Sequence, residues 1–121
     1  MGQRGARSSE AFLPLSPASF YILLALADGQ QHGYAIMREV RTLTRDEVRL
    51  GPGTLYRVVS TLLSEALIEE VASARSSNDD SRRRYYRLTK FGQRVLSDEA
   101  HRLAAAVDIA RTKRILTPRT T

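Results

Sequence analysis

A mainly α-helical domain with a small β-hairpin and a long C-terminal helix is the fold class this sequence predicts, and three observations predict it. Apolar residues recur at helical spacing over three successive segments between Ser16 and Ile68. The period then shortens to two over residues 67–72 and 84–88, on either side of a polar stretch, which is the pattern of two strands and a loop. A last segment, from about Lys90 to Leu116, returns to helical spacing. With 121 residues, 42% of them apolar, the chain has material for one core of ordinary size.

In order, residues 1–13 hold glycines and small polar side chains without periodicity, and a disordered arm is expected there. Arg4 and Arg7 could reach into a minor groove, but a floppy terminus accounts for them as well. Ser16 and Pro17 form an N-cap and first-turn pair, and residues 18–28 run almost wholly apolar until Gly29 stops the helix. Phe20, Leu23, Leu24 and Ala27 make one stripe, while Tyr21, Ile22 and Ala25 supply a second side fit for a partner subunit. A loop from Gly29 to Gly33 leads to a second helix over residues 34–43, with Ile36, Met37, Val40 and Leu43 as its apolar positions.

The third helix begins at Gly51-Pro-Gly-Thr54. Gly51 or Gly53 can take unusual backbone angles at a helix start, and Pro52 presets φ where its missing N–H costs nothing. Leu55, Val59, Leu62 and Ala66 form the buried stripe. Thr54, Arg57, Ser60, Thr61 and Ser64 fall opposite, a face of short hydroxyls beside one arginine, narrow enough for a groove and able to bond phosphates or base edges. An ordinary solvated helix could also look this way.

The hairpin follows, with Tyr86 and Leu88 expected on the core face and Tyr85 and Arg87 on the other. Thr89 caps the final helix, in which Leu96, Ala100, Leu103, Val107 and Ala110 follow at spacings of four, three, four and three, the seam of a coiled coil. The expected division is a winged domain over 14–89, a dimerisation helix over 90–117 and a tail over 118–121.

Net charge is +6, which favours a polyanionic partner. From Ser81 to Arg94 stand Arg82, Arg83, Arg84, Arg87, Lys90 and Arg94 without one acid. Helix, helix, helix, strand, basic loop, strand, helix is the order of a winged helix-turn-helix, whose third helix enters the major groove while the wing lies along the backbone.

The motifs themselves resemble the PadR family of bacterial transcriptional regulators. They are His32-Gly33-Tyr34, Gly51-Pro-Gly-Thr-Leu-Tyr-Arg57, Glu65-Ala-Leu-Ile68 and Arg84-Tyr-Tyr-Arg-Leu-Thr89 followed by Gly92, in that order between about Leu15 and Leu96. The resemblance implies a homodimeric repressor on a pseudo-palindromic operator, often in its own promoter, released by a small molecule. It further implies that Gly53, Thr54, Tyr56, Arg57 and Ser60 face DNA, that Arg82, Arg83 and Arg84 form the basic wing, and that Tyr34 touches the backbone. Tyr34 and Tyr56 could equally be half-buried aromatics. The family commonly has serine at the position of Gly51 and glycine at that of Ala66, and the single C-terminal helix matches its shorter branch.

Other classes have less support. His32 and His101 are the only histidines and lie on different elements, there is no cysteine, and Gly51-Pro-Gly53 is too short for a phosphate loop, so neither an enzyme nor a metal or cofactor site is expected. A winged module that binds RNA or a protein partner remains the alternative. No apolar run approaches a membrane span and no secretory segment opens the chain, so a cytoplasmic protein is expected. A small aromatic effector would fit between the first and last helices, with Phe12, Phe20 and Tyr21 as walls.

Overall fold

The computed structural model describes residues 8–72 and 84–117. Its elements run α1 (Pro17–Ala25), β1 (Gln31–His32), α2 (Gly33–Leu43), α3 (Pro52–Ser64), β2 (Ile68–Val71), β3 (Tyr85–Leu88) and α4 (Lys90–Thr112). The strands form one antiparallel sheet in the order β1-β3-β2, with Ile68 opposite Leu88 and Val71 opposite Tyr85. Two-residue β1 pairs Gln31 with Tyr86 and His32 with Tyr85, so the expected hairpin gains a third strand. Gln31-His32 is too short to show an alternation of its own.

Local chemistry sets the helix starts. Ser16 Oγ accepts the Ser19 N–H and Thr89 Oγ1 accepts the Gly92 N–H, as N-caps should. His32 caps α2 through Nδ1, which accepts the Ala35 N–H at 3.2 Å. Gly51 caps α3 without a side-chain bond, and its φ of −77° is one that any residue adopts. Neither Gly51 nor Gly53 has a positive φ, so the expectation of an unusual backbone there is corrected.

The core gathers Ile22, Leu23 and Leu26, Ile36 and Val40 of α2, Leu55, Val58, Val59 and Leu62 of α3, Leu67, Ile68 and Tyr86 of the sheet region, and Val95 and Leu96 of α4. In α1 the buried face is Ile22, Leu23 and Ala25, continued by Leu26, rather than Phe20, Leu23, Leu24 and Ala27. That helix is apolar almost all round, so periodicity could not select its inner side. Ala66 does not extend the α3 stripe. It is exposed at φ 62° and ends the helix, with its N–H bonded to Leu63 O and the Leu67 N–H bonded to Leu62 O, both at 3.0 Å.

Two further expectations change. Ser9–Phe12 is a 3-10 turn rather than disordered arm, held on α4 by an edge-on contact of Phe12 with Phe91 at 5.4 Å and by a hydrogen bond from Ser9 Oγ to Asp98. Leu15 N–H completes the attachment by donating to Glu99 Oε2 at 3.0 Å. Residues 1–7 and 118–121 lie outside the described residues. The core also crosses the expected boundary at residue 90, because Gly92, Val95, Leu96 and Glu99 are buried with the domain. Contact is tightest at Gly92, where a Cβ would sit 1.9 Å from Leu67 O.

Candidate nucleic-acid interface

Burial of Leu55, Val58, Val59 and Leu62 fixes the rotation of α3, and so turns Thr54, Tyr56, Arg57, Ser60, Thr61 and Ser64 outward. The hydroxyl face read from the sequence therefore exists as one exposed surface. Thr61 Oγ1 donates to Arg57 O at 3.3 Å and Ser64 Oγ to Thr61 O at 2.8 Å, which leaves their oxygen lone pairs outward as acceptors. Arg57 has no side-chain partner among the described residues, so its five donors face solvent.

Tyr56 joins this face to α2. Its ring lies over Gly33, where a Cβ would meet the Tyr56 hydroxyl at 2.3 Å, so the third helix and the start of the second form one continuous surface. Tyr34, next along α2, is 61% exposed and has the Arg38 guanidinium 5.3 Å from its ring centre. Gly53 sits in the first turn of α3, exposed, with nothing within 4 Å of where a Cβ would stand.

Arg82 and Arg83 lie outside the described residues. Arg84 is exposed at the base of the wing, with Nη1 3.5 Å from Glu70 Oε1, and Arg87 Nε bonds Glu69 Oε2 at 2.7 Å. The acid-free block of the sequence thus meets two glutamates across the sheet. Exposed pairs of this kind contribute only about 0–1 kcal/mol and leave most donors free. Beneath them Tyr86 is buried, and burial first, then the charge of Glu70, raises its phenol above the ordinary value.

The expected seam divides. Leu96 is 8% exposed and belongs to the core of its own chain. Ala100 is exposed, Leu103 and Val107 remain 36% and 38% exposed, and Ala110 is half-buried. Ile109, outside the seam, is 61% exposed.

Sequence reading missed two features. Glu99 is buried, with Oε1 2.6 Å from Arg102 Nε and Oε2 3.0 Å from Arg102 Nη2; these bonds, above all, hold its carboxyl below the usual range. Its place among charged neighbours hid it. The second is an open cleft of about 290 Å³ lined by Arg38, Arg41, Thr42, Arg45 and Asp46. Arginines at spacings of three and four, two on α2 and one in the turn after it, were the available signal. Among the described residues no cluster of three or more His, Cys, Asp or Glu could hold a metal, and no helix is long and apolar enough to cross a membrane.

Three helices, a small antiparallel sheet and an outward polar face on the third helix define a protein of the winged helix-turn-helix class. The sequence pattern of the transcriptional regulator PadR-like family matches residues 22–98, and the chain belongs to that family. It is 37% identical over 87 residues to an uncharacterized 37.1 kDa protein of a Streptomyces fradiae transposon, a stretch covering 72% of this chain but only 23% of that protein. A PadR family transcription regulator from Clostridium difficile superimposes with a TM-score of 0.68 at 25% identity, covering 80% of this chain and 97% of that one. Bacillus subtilis PadR, solved in complex with operator DNA, gives 0.56 at 21% identity over 66% of this chain and 44% of its own. Members of this family are transcription regulators rather than enzymes.

Proposed function

We propose that the chain is a sequence-specific DNA-binding repressor that acts in the cytoplasm as a homodimer on a pseudo-palindromic operator, and that a small aromatic molecule releases it. The observation that carries this reading is the exposed face of α3, with Arg57 among short hydroxyls and no acid from Thr54 to Ser64. That face enters the major groove. Arg57 bonds a guanine edge bidentately, Thr54 and Ser60 meet nearby edges or phosphates, and Tyr34, Gly53 and Tyr56 approach the backbone. Arg82, Arg83 and Arg84 position the wing on phosphates rather than specify sequence.

Pairing of α4 with its twin through Ala100, Leu103, Val107 and Ala110 holds two recognition helices about 34 to 36 Å apart, one turn of duplex. Support comes from the exposure of Leu103 and Val107, which the described residues cover only in part. Phe20 and Tyr21, in edge contact at 5.5 Å and only partly buried, supply walls for an effector between α1 and the paired helices. Phe12 is the third wall, beside Phe91.

Footprinting on the DNA upstream of the chain's own coding sequence tests the reading, repeated with planar aromatic compounds. Two protected half-sites one helical turn apart are expected, with protection lost on addition of the effector. Protection of a single unpaired site would overturn the dimeric arrangement, and a preference for structured RNA over duplex would overturn DNA as the target.

A further inference from the structure

Tyr34, Arg38 and Arg41 follow one another along one side of α2, away from Ile36 and Val40, which are buried, and Arg45 stands in the turn just past the end of the helix. At 1.5 Å per residue the helical part of this row, from Tyr34 to Arg41, spans about 10 Å. It begins where Tyr56 of α3 covers Gly33, and so continues the surface that faces DNA in the function proposed above. Its far part is the cleft lined by Arg38, Arg41, Thr42, Arg45 and Asp46, three arginines and a threonine beside one acid. Asp46 bonds Arg41 Nε at 3.1 Å, but both side chains are more than half exposed, so Arg41 keeps donors for another acceptor.

Backbone geometry supplies a second observation. Arg45 has φ 53° and Asp46 φ 68°, two successive residues in the left-handed region where glycine or asparagine is usual. The turn is held shut. Arg45 N–H bonds Thr42 O at 3.2 Å and Asp46 N–H bonds Arg41 O at 2.8 Å, while Thr44 Oγ1 donates to Val40 O at 2.8 Å and accepts the Val48 N–H at 3.0 Å. A glycine would satisfy the turn with less strain. An arginine there adds a third basic residue to the lining of the cleft, at the expense of the turn's own stability.

We infer that this cleft at the end of α2 is a phosphate site, and that its occupant is a backbone phosphate of the duplex, gripped by Arg38, Arg41 and Arg45. The inference rests on the DNA-binding reading above. Its chemistry is that of guanidinium on phosphate, which adds affinity without sequence preference.

Binding of the full chain to a random duplex of about 30 base pairs, followed by anisotropy between about 50 and 200 mM salt, tests it. Arg45→Gly is the key variant because it removes the guanidinium and relieves the turn together. It should raise the melting temperature, lower affinity roughly eightfold near 0.1 M salt and reduce the log-log salt slope by about 0.9. Arg45→Lys should keep the slope, and Arg38→Ala with Arg41→Ala should reduce it further. An unchanged slope in Arg45→Gly, with wild type binding normally, overturns the inference alone. Failure of wild type to bind any duplex overturns the DNA reading beneath it. Inorganic phosphate is the other arm: if it shifts the Arg45 amide resonance without DNA while the salt slope ignores Arg45, the site serves a free anion and the duplex assignment is wrong.

Discussion

From Lys90 to Glu99, α4 buries Gly92, Val95, Leu96 and Glu99; from Ala100 to Thr112 it buries no residue at all. One helix of about 34 Å thus has two environments. The apolar period continues through both, so Leu96 and Leu103 look equivalent in the sequence, yet one closes the winged domain and the other faces outward. Spacing reveals which side chains share a face. What covers that face depends on what packs there, and among the described residues the 3-10 turn, α1 and β3 pack on α4, whose buried residues all lie in its first half.

The sharpest way to break the buried half is Gly92→Ala. Its Cβ would lie 1.9 Å from a backbone carbonyl, which cannot swing away as a side chain can. The helix must shift away from the Leu67 backbone, and a loss of about 3 kcal/mol is expected in denaturant unfolding. Leu103→Glu examines the exposed half with the opposite signature. The melting temperature of the single domain should hold, since the residue is already part exposed, while light scattering should show monomer and operator affinity should fall on the order of a hundredfold as linked half-sites separate. A Leu103→Glu protein that stays dimeric with full affinity would mean that the subunits meet elsewhere.

Glu99 marks the boundary between the halves, and its effect should be smaller. Its folded carboxyl lies below the usual range, held there first by Arg102 and assisted by the Leu15 N–H. A depressed carboxylate contributes stability above its unfolded value, near about 4.3, and loses that contribution as pH falls through the folded value. Glu99→Gln should therefore cost about 1 to 2 kcal/mol at neutral pH and flatten the acid side of the stability curve, where wild type falls steeply. An acid limb identical in both proteins would assign that loss to other carboxylates.

Much of this was legible in the sequence. Ser16, Pro17, Pro52 and Thr89 are local signals, and each marks a helix start at the expected place. The outward face of α3 followed from four apolar positions, three of which are buried as read. The inner side of α1 was not legible, because Phe20, Tyr21, Ile22, Leu23 and Leu24 offer apolar surface in every direction. Nor was Glu99, an acid among acids until Leu15 and Arg102 close on it. The α2 arginines needed the turn at Arg45 and Asp46 before they became a cleft.

The central claim is that α3 reads bases, and Arg57 tests it most directly. Anisotropy titrations of wild type and Arg57→Ala should be run against the upstream fragment and a random duplex at one salt concentration. The account predicts a loss of about 1 to 3 kcal/mol on the upstream fragment with little change on random DNA, and relaxed preference at one base pair in each half-site. Equal weakening on both duplexes would contradict it, reducing Arg57 to a phosphate contact and leaving α3 without its reader.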